Sequence, residues 1–187
     1  MRVISGKARG VQLKTPKGML TRPTADRVKE ALFSIIQFEI PGARVLDLFG
    51  GTGQLGIEAL SRGASHAVFT DRDASACSLI RENLKRAGME NYAKVFCADY
   101  ASYLKSTGEM FDIILLDPPY AEVFLENAIK LITEIDILQT NGIIVTERPF
   151  GKELPCQIYG YSRSKDYKYG NTVLTLFRKT NTGEDAL

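Results

Sequence analysis

Arg44-Val45-Leu46-Asp47-Leu48-Phe49-Gly50-Gly51-Thr52-Gly53-Gln54-Leu55-Gly56 runs from an apolar stretch through a cluster of glycines into a second apolar-periodic stretch. Strand, glycine loop and helix in that order form the opening unit of a nucleotide-type α/β fold. Glycines 51, 53 and 56 match the G-x-G-x-x-G spacing, and Asp71 stands 20 residues after Gly51, where an acid holds ribose hydroxyls. A nicotinamide or flavin enzyme is one reading of this pattern. Asp47 favours another. At the strand end it would put a negative charge beside a pyrophosphate and repel it. S-adenosylmethionine has no phosphate, and its ammonium and sulfonium are attracted by the same carboxylate.

On either side of this stretch, strand and helix signals alternate. The apolar periodicity predicts strands at 44–48, 67–71, 94–97, 112–116 and 143–147, with helices at 54–62, 74–88, 100–106 and 122–133. A helix over about 24–38 precedes them, with Val28, Ala31, Leu32, Ile35 and Ile36 on one face. Short strands at 2–4 and 11–13 around Gly6-Lys7-Ala8-Arg9-Gly10 predict an N-terminal β-hairpin. Segments 154–162 and 172–179, flanking a polar turn at 165–171, predict a C-terminal antiparallel hairpin. The expected fold is therefore α/β, a doubly wound, mostly parallel seven-stranded sheet of Rossmann-like type in one domain over 1–180, with a basic extension at 1–20 and a frayed tail at 181–187. Asp47, Asp71, Asp99 and Asp117 all fall at or just after expected strand ends, which gathers them along one edge. Asp at such positions also serves as an ordinary helix N-cap.

Asp117-Pro118-Pro119-Tyr120 closes the strand Phe111-Asp112-Ile113-Ile114-Leu115-Leu116. Two prolines lack N–H groups and fix φ, so the chain must leave the sheet here. The Asp117 carboxylate and the Pro118 carbonyl can accept hydrogen bonds from an exocyclic NH2, and Tyr120 offers a face on which a base can stack. The bland alternative is a rigid turn.

The 187 residues, 44% hydrophobic, suit one domain with a full core. Cys77, Cys97 and Cys156 are widely spaced and in no C-x-x-C pattern, which predicts packing roles in a reducing cytoplasm. His66 is the only histidine and is expected in a solvated turn, which argues against a histidine metal site; no metal is expected. No apolar run is long enough to span a membrane. The net charge of +2 conceals an asymmetry. Residues 1–29 carry eight basic side chains against Asp26 alone, and residues 161–179 carry five against Asp166. Beside a base-binding clamp, Lys7, Arg9, Lys14, Arg22 and Arg27 are read as contacts to a polyanion, since Lys and Arg gain affinity for phosphates by releasing condensed counterions.

Gly6-Lys7-x-Arg9-Gly10, Thr21-Arg22-Pro23-Thr24-x-Asp26-Arg27-Val28-Lys29-Glu30-Ala31-Leu32-Phe33, Asp47-Leu48-Phe49-x-Gly51-x-Gly53, Asp117-Pro118-Pro119-Tyr120 and Tyr169-Gly170-x-Thr172 together give the chain a resemblance, over nearly its whole length, to the RsmD family of bacterial 16S ribosomal RNA guanine-N2 methyltransferases, a class I S-adenosylmethionine-dependent group. A monomer is expected, and the resemblance implies action on 16S rRNA of the small ribosomal subunit. It implies that Phe49, Gly51 and Gly53 line the cofactor, that Asp47 faces its ammonium, that Asp71 and Arg72 meet the ribose, and that Asp99 accepts from the adenine amine between Ala98 and Tyr100. Arg22 and Thr24 would lie beside the cofactor or the entering nucleotide, and Asp117, Pro118, Pro119 and Tyr120 would carry catalysis. An adenine-N6 methyltransferase with the same tetrapeptide, a nicotinamide oxidoreductase and a noncatalytic RNA-binding module are the alternatives.

Overall fold

In the computed structural model, which describes residues 1–16, 23–118 and 121–180, the alternation is realised as α1 (Pro23–Ile35), β1 (Arg44–Asp47), α2 (Gln54–Ser61), β2 (His66–Asp71), α3 (Ala74–Ala87), β3 (Ala93–Cys97), α4 (Tyr100–Ser106), β4 (Phe111–Leu116), α5 (Ala121–Ile135), β5 (Leu138–Pro149), β6 (Gln157–Ile158), β7 (Tyr161–Tyr169) and β8 (Thr172–Lys179). All strands join one sheet in the order β3-β2-β1-β4-β5-β8-β7-β6. The first five are parallel, and β8, β7 and β6 extend the sheet antiparallel. The sheet has eight strands where seven are expected, the addition being the two-residue β6.

Side-chain alternation builds a core on each face of the sheet. Val45, Phe69, Ile113, Leu115, Ile143 and Val145 pack under Leu32 of α1, Ile36 just beyond its end, Ile57 of α2 and Ile80 of α3. Leu46, Val68, Ile114, Leu116 and Ile144 pack under Leu104, Leu125, Ile129 and Ile132 of α4 and α5. Both faces are covered, so the central strands read as continuous apolar runs. Full burial of each such side chain contributes about 1.5–3 kcal/mol. No helix among the described residues is long and apolar enough to cross a membrane.

Several expectations are corrected. The N-terminal hairpin is present but short: Arg2 and Gln12 form its antiparallel bridge, flanked by the Val3 N–H donating to the Val11 carbonyl and the Leu13 N–H donating to the Met1 carbonyl, both at 3.0 Å. Backbone N–H groups that this ladder leaves over are satisfied by side chains of the domain. Fully buried Glu58 of α2 accepts from the Ile4 and Ser5 N–H groups at 2.8 and 3.0 Å, and Asn83 accepts from the Lys14 N–H at 2.7 Å. Glu58 also meets Arg62 Nε at 2.8 Å and Lys29 Nζ at 3.8 Å, so the buried charge is compensated. The polar stretch 165–171 is mostly strand: β7 and β8 meet at a two-residue turn, Gly170-Asn171, with Gly170 at φ 61°. Lys165, Asp166 and Lys168 are polar because they are exposed on that strand, not because the chain turns there. His66 opens β2 rather than sitting in a solvated turn, and its Nε2 is buried without a partner among the described residues. Cys77 is buried, but Cys97 and Cys156 are exposed and not packing residues. The tail 181–187 lies outside the described residues.

Candidate active site

From β1 the chain runs outward through β2 to β3, then returns to place β4 on the other side of β1. The reversal opens a crevice beyond the carboxyl ends of β1 and β4, the usual ligand position in such sheets. Asp47 ends β1, Asp71 ends β2 and Asp117 follows β4 directly. Val45, Phe69, Leu115 and Val145 share one face of the sheet. Residues two positions on keep that face, so Asp47, Asp71, Asp117 and Glu147 emerge on the same side, at the same end.

Asp47 is 2% exposed, and its Oδ2 accepts from the Gly56 N–H at 3.0 Å. Burial raises its pKa to about 7 despite that bond, and the charges of Asp117 and Asp71 push the same way. Burial raises Asp117 to about 6. The residue is nonetheless solvent-exposed while Pro118 is buried. Protein around the carboxyl and open access to it together describe the floor of a cleft. Glu147, half-buried on β5, is raised to about 7 by burial and by Asp117. Sequence reading passed over Glu147, although its place at the end of the apolar run 143–147 is the signal that singled out the four aspartates. These crowded carboxyls make a site that a cationic ligand would relieve. A surface cavity of about 480 Å³, lined by residues such as Pro41, Asp112 and Asn141, opens at the opposite end of the sheet and holds none of them.

Asp71 braces the glycine loop. Its Oδ2 accepts from the Gly51 N–H and its Oδ1 from the Asp73 N–H, both at 2.9 Å. The three fingerprint glycines divide by role. Gly51, at φ 54°, is exposed, and a Cβ there would meet nothing nearer than 3.9 Å, so this is where backbone can approach a ligand. Gly53, at φ 77°, is buried against Ile80 and Ile57. A Cβ on Gly56 would lie 2.3 Å from the Phe69 ring, so that glycine serves helix-on-strand packing.

Asp99 is the N-cap of α4: its Oδ1 accepts from the Ala101 and Ser102 N–H groups at 3.0 and 3.1 Å, and Oδ2 accepts from the Ser102 hydroxyl. Its pKa is lowered, first by the Ser102 hydroxyl. The Ala98 N–H donates to the Asp71 carbonyl at 3.0 Å. Tyr100 stands between Phe49, 5.4 Å between ring centroids, and Phe124, 6.2 Å edge-on. Phe124, 39% exposed, completes an aromatic row that sequence reading had only in part. Arg72, Lys7, Arg9 and Arg27 are exposed, whereas Lys14 is engaged in a surface ion pair with Glu82. Arg22, Pro119 and Tyr120 lie outside the described residues. Thr24 belongs to the first turn of α1, its side chain likewise outside the description.

The chain has parallels in sequence and fold among known proteins. A family model, Conserved hypothetical protein 95, matches residues 1–178. YlbH of Bacillus subtilis (strain 168), named as a candidate rRNA methyltransferase, is 41% identical over 184 residues, covering 96% of this chain and 99% of its own. Ribosomal RNA small subunit methyltransferase D of Escherichia coli (strain K12) is 32% identical over 184 residues, covering 98% and 92%. A solved structure of the Escherichia coli candidate methyltransferase yhhF superposes with a TM-score of 0.86 at 30% identity, covering 96% of this chain and 98% of that one. With the family model, the relatives' sequences and the fold in agreement over nearly its full length, the chain belongs to the RsmD family of methyltransferases.

Proposed function

We propose that this enzyme transfers a methyl group from S-adenosylmethionine to the exocyclic N2 amine of a guanine in 16S rRNA of the small ribosomal subunit. The observation that carries the reading is the buried Asp47 carboxyl, raised to about 7 beside Asp117 and Asp71 at the switch point of the sheet. Such a group fits a ligand that brings positive charge and no phosphate. The residues present suit that cofactor: Asp47 for its ammonium, Asp71 for ribose hydroxyls, exposed Gly51 for close backbone approach, and the Phe49 and Tyr100 rings for a flat heterocycle. When bound, S-adenosylmethionine supplies a methyl group on a positively charged sulfur. The relatives named small subunit methyltransferase D support the choice of RNA.

The chain's own residues then have three tasks. Asp117 and the Pro118 carbonyl accept the hydrogens of the amine, which turns its lone pair toward the methyl group, and most of the rate advantage comes from that positioning. The Asp117 carboxyl, raised to about 6, is a suitable acceptor for the proton that the alkylated amine sheds. A paired base could not enter the cleft, so the guanine must be unstacked, with Tyr120 available to stack against it. Lys7, Arg9, Arg22 and Arg27 supply contacts to the RNA backbone, Lys14 being engaged by Glu82.

Incubation with labelled S-adenosylmethionine and small ribosomal subunits, followed by nucleoside digestion and mass analysis, tests the reading. N2-methylguanosine is expected. N6-methyladenosine, or no labelled nucleoside, would replace it.

A further inference from the structure

Glu147 stands on the floor of the same cleft without a task in the mechanism above. Leu116 of β4 pairs with Thr146 of β5 at the end of the ladder, so Asp117 and Glu147 are the next residues on adjacent chains, and the charge of Asp117 acts on Glu147. They share the face that carries Asp47. Burial perturbs both carboxyls, the charge of Asp117 adds to the effect on Glu147, and neither receives a hydrogen bond from a described residue. The next residue on β5 differs: Arg148 is held by Thr175 Oγ1 at 3.0 Å, by Asp166 at 2.7 Å and by the Lys152 carbonyl. Cross-links of that kind explain Arg148 as structural. A half-buried acid beside a second acid stabilises nothing, so packing gives no reason for Glu147.

Recognition chemistry does. Two carboxylates side by side offer acceptors and no donor. Along its Watson–Crick edge guanine presents the N1–H next to the two hydrogens of N2, an all-donor run. Adenine presents a bare N1 acceptor next to its amine, and a carboxylate facing that nitrogen is repelled. We propose that Glu147 is the specificity-determining residue of this site, its carboxylate accepting the N1–H of the target guanine while Asp117 holds the N2 amine. The proposal rests on the N2-guanine reading above.

The test uses the full chain, S-adenosylmethionine, and small subunits reconstituted with either guanine or 2-aminopurine at the methylated position. 2-Aminopurine keeps the N2 amine but has a bare N1. Wild-type enzyme should prefer guanine in kcat/KM by ~10- to 100-fold, the usual range for a lost base-edge contact. Glu147→Gln, whose amide can donate to a bare N1, should bring the ratio close to one by losing rate on guanine and gaining it on 2-aminopurine. Unchanged preference in Glu147→Gln overturns the proposal while leaving N2-methylguanosine as the product. Equal use of both bases by the wild type overturns it without any variant, which covers the case in which Glu147→Gln fails to fold. N6-methyladenosine from the wild type removes the N2 reading itself, and the assignment of Glu147 with it.

Discussion

Asp47 sets a pH dependence whose sign follows from its burial. A neutral carboxyl has nothing to offer an ammonium, so S-adenosylmethionine affinity should fall as pH drops through about 7. Near that pH, binding should release protons, which calorimetry in two buffers of different ionisation enthalpy will detect. For stability the sign is opposite to that of a salt-bridged acid. The folded value near 7 exceeds the ordinary 3.8, so the carboxyl's contribution is most favourable below about pH 4 and is lost as pH rises past 7. Asp47→Asn can still accept from the Gly56 N–H. It should stabilise the ligand-free protein at pH 8 by up to about 4 kcal/mol, have little effect at pH 4, and bind S-adenosylmethionine poorly. Asp71→Ala should cost about 1–3 kcal/mol of cofactor affinity by leaving polar partners unmet, including the Gly51 N–H. Asp117→Ala should abolish methyl transfer and keep cofactor affinity within a few-fold, because its side chain is assigned to the acceptor amine; near-wild-type turnover at saturating substrate would reduce the tetrapeptide to a turn.

The glycine loop and its flanking strand and helix behave as one element. Gly56 touches Phe69, so Gly56→Ala forces α2 away from β2, and thermal melts should show a loss of about 1–3 kcal/mol, the usual cost of overpacking. At this scale the sequence was most legible where periodicity and punctuation agreed. β1, the glycine loop and α2 follow from an apolar run, a glycine cluster and an apolar-periodic stretch, and the parallel order follows from strand–helix alternation. It was least legible where composition and conformation part ways. Lys165 and Lys168 signal a turn by polarity, yet an antiparallel strand with a solvated face carries such residues in regular pairing. The N-terminal segment has hairpin spacing and forms that short ladder, but the seating of its Ile4, Ser5 and Lys14 N–H groups on Glu58 and Asn83, far away in sequence, is visible only in the folded chain. Asp99 looks the same in sequence whether it caps a helix or meets a ligand, and the cap is visible only once α4 is in place. Glu147 needed the β4–β5 register before it could be set beside Asp117.

At the scale of the whole molecule, charge and topology govern how it meets RNA and how it forms. Lys7 and Arg9 are exposed on a segment fastened to α2, whereas Lys14 is already paired with Glu82. Neutralising Lys7 and Arg9 should therefore flatten the slope of log affinity for small subunits against log salt by about 1.4–1.8, while S-adenosylmethionine binding stays unchanged. A wild-type slope in that variant would move the RNA surface to Arg163, Lys165 and Lys168. The topological switch carries a further consequence. Within the unit β1–α2–β2–α3–β3 each pairing closes a single crossover, but β1 reaches β4 only by pairing Val45 with Ile113, after that entire unit has been traversed. Contacts between such distant positions are slow to form because loop closure must precede them. As the chain emerges from its own ribosome, Asp47, Gly51 and Asp71 can assemble while Asp117 is still to come, and the two halves of the cleft meet only when β4 slots in beside β1. A nascent chain can thus acquire its cofactor cradle first and its capacity to modify RNA last.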